Sequence, residues 1–349
     1  MMRSAVLIGP RDIRLEETPR PAASDDTVIV RIESLGICGS NLHWWTGAPV
    51  EQGLMRFPLP GGGGHEYAGV VDEVGARVTR VKPGDRVVID FFESSSCGAC
   101  VQCAAGLYGQ CERRRFLGIG GFVEYLETTE RGLYVLPEGI ETNTAAVVEP
   151  CACAVSGVRR GGLQGGETVV VLGAGVLGLS AAATAKALGA SKVIITAKHD
   201  AQAKLAERFG ADVVLRSGDD DLVERIKAET GGLGADLVVE SVGGHAPTFA
   251  QALAVLRSGC TIVVLGLWDE PVPVNSWDAV LKDAQVIFSL TYGMKGKRHD
   301  FELCLEWMAS GQLPARELVT HQCPLDDIAG AFELAADKSK GVVKVIVNP

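Results

Sequence analysis

The chain lacks the features that would place it with nucleic acids or in a membrane. Positive charge is in deficit: 33 Lys and Arg stand against 43 Asp and Glu, giving a formal net charge of −10 and a pI near 5.2. A nucleic-acid partner usually needs a basic stripe, so this balance argues against one. The start, Met1-Met2-Arg3-Ser4, runs into a strand-like segment without the apolar core of a signal peptide. The one long apolar stretch, 169–190, is broken by Gly173, Gly175 and Gly178 and carries Lys186. That suits a strand, a turn and a helix better than a membrane span. Repeats and low-complexity tracts are absent. A cytoplasmic protein is expected.

What remains is an ordinary globular composition, 47% hydrophobic and 22% charged, which argues against disorder. At 349 residues the chain exceeds one ordinary core, so two domains are expected. Residues up to about 160 read as β-rich, with strand patterns at Ser4–Ile8, Ile13–Glu16, Val28–Ser34, Gly121–Glu127 and Leu133–Leu136. From about residue 165, short Val/Ile-rich runs alternate with helix-length patterns. These runs are Thr168–Leu172, Lys192–Thr196, Asp212–Leu215, Asp236–Glu240, Thr261–Gly266 and Gln285–Ser289. Alternation of this kind predicts a parallel sheet covered on both faces. The tail, with helical patterns at Asp300–Ser310 and Ile328–Asp337 and a last strand at Lys344–Val347, is expected to rejoin the first domain. The fold class is therefore α/β in two domains.

Three groups of residues carry chemistry. Gly173-Ala174-Gly175-Val176-Leu177-Gly178 follows a strand and opens a helix. There glycine permits the tight turn, the approach of backbone amides to a pyrophosphate and close helix packing. The next strand ends in Ala197-Lys198-His199, without the acidic residue that would bond the ribose of NAD. Lys198 favours the 2′-phosphate of NADP; the alternative is NAD, with Asp200 taking the ribose. Val242, Gly266 and Leu290, at or just after the ends of later strands, are read as further cofactor contacts.

The second group is Cys97, Cys100, Cys103 and Cys111 in an irregular lobe, 94–115. Ten cysteines in a chain without a secretion signal point to metal binding before disulfides. Four thiolates close a tetrahedral zinc shell, a structural role. The third group is dispersed. Cys38, His65, Glu66 and Glu149 mix soft and hard donors in the manner of catalytic zinc. On a regular strand His65 and Glu66 would point to opposite faces, so Glu66 competes with Glu149 for the third place. Glu149 could equally cap the helix that follows it. Ser40 and His43 could pass a proton outward, and Trp44 and Trp45 are expected to wall a substrate pocket.

Together these pieces resemble the zinc-dependent medium-chain dehydrogenase/reductase family of alcohol and polyol dehydrogenases. The likeness covers essentially the whole chain: Gly36-Ile37-Cys38-Gly39-Ser40 through His43, Gly64-His65-Glu66-X2-Gly69-X5-Gly75-X2-Val78, the four-Cys lobe, Glu149-Pro150 and Gly173–Gly178. It implies a GroES-like catalytic domain (1–154 and 293–349) and a Rossmann domain (155–292), with an active site in the cleft between them. It further implies two zincs per chain, NADP or NAD, and a homodimer or homotetramer. Its reaction would be reversible hydride transfer, with Ser40 touching the substrate oxygen and His43 as the outer relay. Glu149, where alcohol dehydrogenases carry Cys, leans toward the polyol, butanediol and threonine dehydrogenase branch. Asn41 departs from the family's usual Asp, and Ser289-Leu290-Thr291-Tyr292 lacks the Arg of sorbitol dehydrogenases. The competing readings are a zinc-independent quinone or enone reductase and a non-catalytic nucleotide-binding redox sensor.

Overall fold

The computed structural model describes residues 1–51 and 53–349. It divides into two compact units, Met1–Pro150 with Ala315–Pro349, and Cys151–Pro314. The first unit is built on a seven-stranded sheet. Strand Thr27–Gly36 lies at its centre, paired antiparallel with Glu66–Val74, Tyr125–Thr129 and Lys344–Asn348. The C-terminal strand thus closes onto the N-terminal third of the chain, which brings residue 344 beside residues 36 and 66. A smaller sheet holds Met2–Gly9, Asp12–Thr18 and Leu59–Pro60. The core between them contains Trp45, Tyr67, Phe122 and Phe332, all buried.

In the second unit six strands lie parallel in the order Val213–Arg216, Lys192–Ala197, Thr168–Leu172, Ala235–Glu240, Leu256–Val264 and Gln285–Phe288. By sequence this is 3-2-1-4-5-6, the doubly wound order in which ligands sit beyond the strand ends where the order reverses. The Val/Ile runs are apolar throughout because helices cover both faces, and Val170, Ile194, Val238 and Ile262 are fully buried.

Three local expectations change. The strand expected at Gly121–Glu127 begins only at Tyr125, because Gly121 takes a left-handed turn against Gly61. A strand not anticipated, Val319–Pro324, pairs parallel with Lys344–Asn348. Residues 151–154 and 293–314, expected with the first domain, cluster with the second. A buried ion pair, Arg159 with Asp300, lies within that second unit, and the Asp300 carboxylate also accepts from the Gly293 amide at 2.9 Å. Among the described residues no helix is long and apolar enough to cross a membrane.

Candidate metal centres and nucleotide site

Cys38 caps the helix Gly39–Thr46 where strand Thr27–Gly36 ends. Gly36 faces Glu66 across the antiparallel ladder. A Cβ at Gly36 would stand 1.7 Å from Glu66 Oε2, so glycine there gives the carboxylate room. His65 lies one residue before the strand Glu66–Val74 and follows a turn at Gly61–Gly63. The glycine run thus supplies the break in the pleat that lets His65 and Glu66 face the same way. Ligand atoms of Cys38, His65 and Glu66 all lie within 4.8 Å of one another. Glu149 is 4% exposed and sits inside the first turn of the helix Val148–Arg160 rather than ahead of it, so it is not the cap. It acts on His65 through its charge.

The histidine is oriented by groups around it. Its Nδ1 lies 3.0 Å from the Gly63 carbonyl, which can only accept, so Nδ1 carries a proton and Nε2 is the ring nitrogen left to take a metal once it gives up its own. The fully buried Asn41 donates to the same carbonyl at 2.8 Å, and its Oδ1 accepts from the Cys38 amide at 2.9 Å. The Tyr67 hydroxyl donates to Gly64 O at 2.5 Å and accepts from the Gly121 amide at 2.6 Å. These bonds fix the turn that delivers His65.

Burial would lower the imidazole pKa, but the charges of Cys38, Glu149 and Glu66 override it and push it up to about 10. The centre therefore favours added positive charge. Lys344 Nζ supplies some of it, 2.7 Å from both Glu66 oxygens and 2.9 Å from Ile37 O, with both side chains buried. Three acidic side chains, Cys38, Glu66 and Glu149, act on His65 here beside one buried lysine, and a divalent cation binding with release of the thiol and imidazole protons would take over the charge that His65 carries. Thiolate, imidazole and carboxylate are zinc donors, so the residues present fit that ion.

Ser40 and His43 lie three residues apart on the same short helix, on one face, and both are half-buried. The two tryptophans divide. Trp44 packs edge-on to His65, with ring centroids 6.0 Å apart. Trp45, next along the helix and turned by about 100°, is buried against Phe332 and beneath the Arg11 guanidinium. The expectation that Trp45 walls a substrate pocket is corrected: it belongs to the core.

The four-Cys lobe is equally compact. Sulfurs of Cys97, Cys100, Cys103 and Cys111 lie within 4.8 Å of one another, with separations of 3.5 Å for Cys100–Cys103 and 4.0 Å for Cys97–Cys103 and Cys100–Cys111. A tetrahedral shell with Zn–S near 2.3 Å puts sulfurs about 3.8 Å apart, so the quartet fits zinc. No disulfide joins the four. The Ala99 backbone amide draws the Cys97 thiol down to about 6, while burial pushes Cys103 up to about 11.

In the second unit the Gly-rich turn joins strand Thr168–Leu172 to helix Val176–Ala187. Gly173 has φ 101°, and a Cβ there would meet Val242 at 2.5 Å; one on Gly178 would meet Gly173 O at 1.9 Å. Nothing lies within 4 Å of a Cβ on Gly175. That glycine leaves open space where a pyrophosphate would approach, so the turn fits a dinucleotide. The Gly173 amide donates to Thr196 Oγ1 at 2.9 Å, tying the turn to the strand that ends in Ala197, and Lys198 and His199 come next. Val242 flanks the turn, Gly266 packs on Glu240 and Gly243, and Leu290 follows the outermost strand and is exposed.

Residues 24–138 match the alcohol dehydrogenase GroES-like domain, and residues 176–310 match the zinc-binding dehydrogenase model. The sorbitol dehydrogenase of Bacillus subtilis is 31% identical over all of this chain and 97% of its own. Two solved structures superpose over all of this chain and 99% of theirs, each with a TM-score of 0.86. One, from Sinorhizobium meliloti 1021, is described as a zinc-binding dehydrogenase bound to NADP and is 29% identical. The other, an alcohol dehydrogenase from Escherichia coli CFT073 complexed with NADH, is 27% identical. The chain belongs to the zinc-type medium-chain dehydrogenase/reductase family. It is a zinc-dependent, NAD(P)-linked oxidoreductase acting on alcohol or polyol groups.

Sequence reasoning missed Lys344 and Tyr67. A lysine inside the run Val342-Val343-Lys344-Val345-Ile346-Val347 is the signal for the first, since a cation in a buried strand needs a partner. Tyr67 carried no signal that separates it from plain core.

Proposed function

We propose that the enzyme oxidises small secondary alcohols or diols to ketones, reversibly, with NADP preferred over NAD. The donor cluster Cys38–His65–Glu66 carries this reading. Bound zinc would supply Lewis acidity toward the alcohol oxygen, and the nicotinamide would supply the hydride acceptor. Cys38 and His65 hold the metal, Glu66 is favoured as third ligand by its place in the cluster, and Glu149 tunes the charge. Ser40 accepts the hydroxyl proton and His43 passes it outward, while Trp44, beside His65, narrows the approach and favours a small, partly apolar substrate. Cys97, Cys100, Cys103 and Cys111 hold a second, structural zinc. Gly173, Gly175, Val176, Leu177 and Gly178 bind the pyrophosphate, Ala197, Lys198 and His199 flank the ribose, and Val242, Gly266 and Leu290 line the rest of the cofactor.

A cytoplasmic homo-oligomer completes the reading. Thiols gathered as a metal-ligand quartet suit a reducing compartment. The open edge strand Gln285–Phe288 with exposed Phe288, Leu290, Trp277 and Leu281 suits association.

Metal analysis together with cofactor-dependent turnover of 2,3-butanediol, sorbitol and threonine tests the proposal. Two zincs per chain, butanediol as the best of the three and a lower KM for NADP are expected. One zinc and no turnover would favour a nucleotide-binding redox sensor, and turnover without zinc would favour a quinone or enone reductase.

A further inference from the structure

The parallel register pairs Ala197 with Arg216, at the C-terminal end of the outer strand Val213–Arg216. This places a second cation beside the segment from Lys198 to Asp200, where the Gly-rich turn would direct the adenosine ribose. The Arg216 side chain turns back over the neighbouring strand. Its Nη1 donates to Lys198 O at 3.3 Å, and its Nη2 pairs with the Asp200 carboxylate. Both side chains are solvent-accessible, 49% for Arg216 and 77% for Asp200, so the pair can open without unpacking the fold.

We propose that Arg216 is a specificity-determining residue that grips the cofactor's 2′-phosphate together with Lys198, and that Asp200 holds it in position until the cofactor arrives. The inference rests on the NADP reading above and names the residue that enforces it. A phosphate monoester carries nearly two negative charges and several strong acceptors. A guanidinium can meet it bidentately, whereas a lysine offers a point charge. The phosphate therefore outcompetes the single carboxylate of Asp200 for Arg216.

The same geometry bears on NAD. Asp200 is the one acidic side chain in this turn that could accept from a ribose 2′-hydroxyl, and Arg216 occupies it. Arg216 thus favours NADP by attraction and disfavours NAD by sequestering the alternative acceptor. Removing Arg216 has to weaken the phosphorylated ligand selectively. Neutralising Asp200 removes a competitor and a repelling charge, so it must not weaken that ligand.

Calorimetric titration of the full-length protein with 2′,5′-ADP and with 5′-AMP tests this without turnover. The wild type should bind 2′,5′-ADP more tightly. R216Q should lose about tenfold or more, roughly 1.4 kcal/mol, for 2′,5′-ADP while binding 5′-AMP at least as tightly as the wild type, because Asp200 is released. D200N should bind 2′,5′-ADP at least as tightly as the wild type. If R216Q keeps the wild-type preference, Arg216 is not the determinant, although the NADP reading stands on Lys198. If R216Q loses both ligands equally, its role is structural and the proposal fails. If the wild type does not prefer 2′,5′-ADP, the NADP reading falls and this inference with it.

Discussion

Asn41 offers the most demanding test of the metal centre, because its fully buried side chain ties Cys38 to the turn that delivers His65. Its amide makes two buried bonds: it accepts from the Cys38 amide at 2.9 Å and donates to Gly63 O at 2.8 Å. Gly63 O in turn accepts from His65 Nδ1 at 3.0 Å. Asn41→Asp is nearly isosteric and keeps the first bond. It replaces the NH2 donor with an oxygen facing a carbonyl oxygen, leaving a buried acceptor short of a donor at about 1–3 kcal/mol. For a unit of this size that is roughly 2–12 °C in Tm. His65 also loses part of its support, and disturbing such an outer contact typically costs about 10–100-fold in metal affinity. The pH dependence has a fixed sign. Burial raises the folded pKa of the introduced carboxyl above its unfolded value, and its protonated form can donate to Gly63 O. The defect should therefore be full at pH 7.5 and shrink as pH falls through the raised folded pKa. Thermal melts from pH 5 to 8 and competitive zinc titration would check this. An Asn41→Asp variant as stable at pH 7.5 as the wild type, with unchanged zinc affinity, would refute the reasoning.

Two further perturbations separate the metal sites. Cys103→Ser should remove about one zinc per chain; if that site holds its ion at about 100–1,000 times Kd, its loss forfeits about 3–4 kcal/mol, read by elemental analysis and melting temperature. Unchanged zinc and unchanged Tm would defeat the structural-zinc assignment. Lys344→Met should leave Glu66 as an unpaired buried carboxylate, costing about 3–5 kcal/mol in chelated protein and less when zinc is bound. An equal loss in both states, or none, would show that Lys344 and the metal do not share the Glu66 charge.

The second unit was legible because its signals are local. Each Val/Ile run predicts its own strand, each helix pattern its own cover, and the glycines at 173, 175 and 178 mark the junction between the first pair. The first unit was legible only in outline. Val319-Thr320-His321-Gln322-Cys323-Pro324 alternates weakly and ends in proline, and becomes a strand because Lys344–Asn348 offers it a partner. The helix Asp300–Ser310 is paired within the second unit to Arg159, a partner about 140 residues earlier that no periodicity announces.

The site repeats this division. The cysteine quartet is set by spacing within fifteen residues, so the sequence alone carries it. The dispersed centre depends on where the chain leaves its regular pleat, and strand periodicity argued against His65 and Glu66 acting together. The Gly61–Gly64 run was visible, but its effect needed the register of Gly36 against Glu66. Trp45 failed for a related reason. Neighbouring residues on a helix diverge by about 100°, so two adjacent tryptophans cannot share one wall, and the helix turned only Trp44 toward His65. Lys344 is the extreme case. A lysine in an apolar strand announces that it needs a counter-charge, but it reaches Glu66 across 278 residues of sequence. What the chain encodes locally is the demand, and only the closed sheet shows which group meets it.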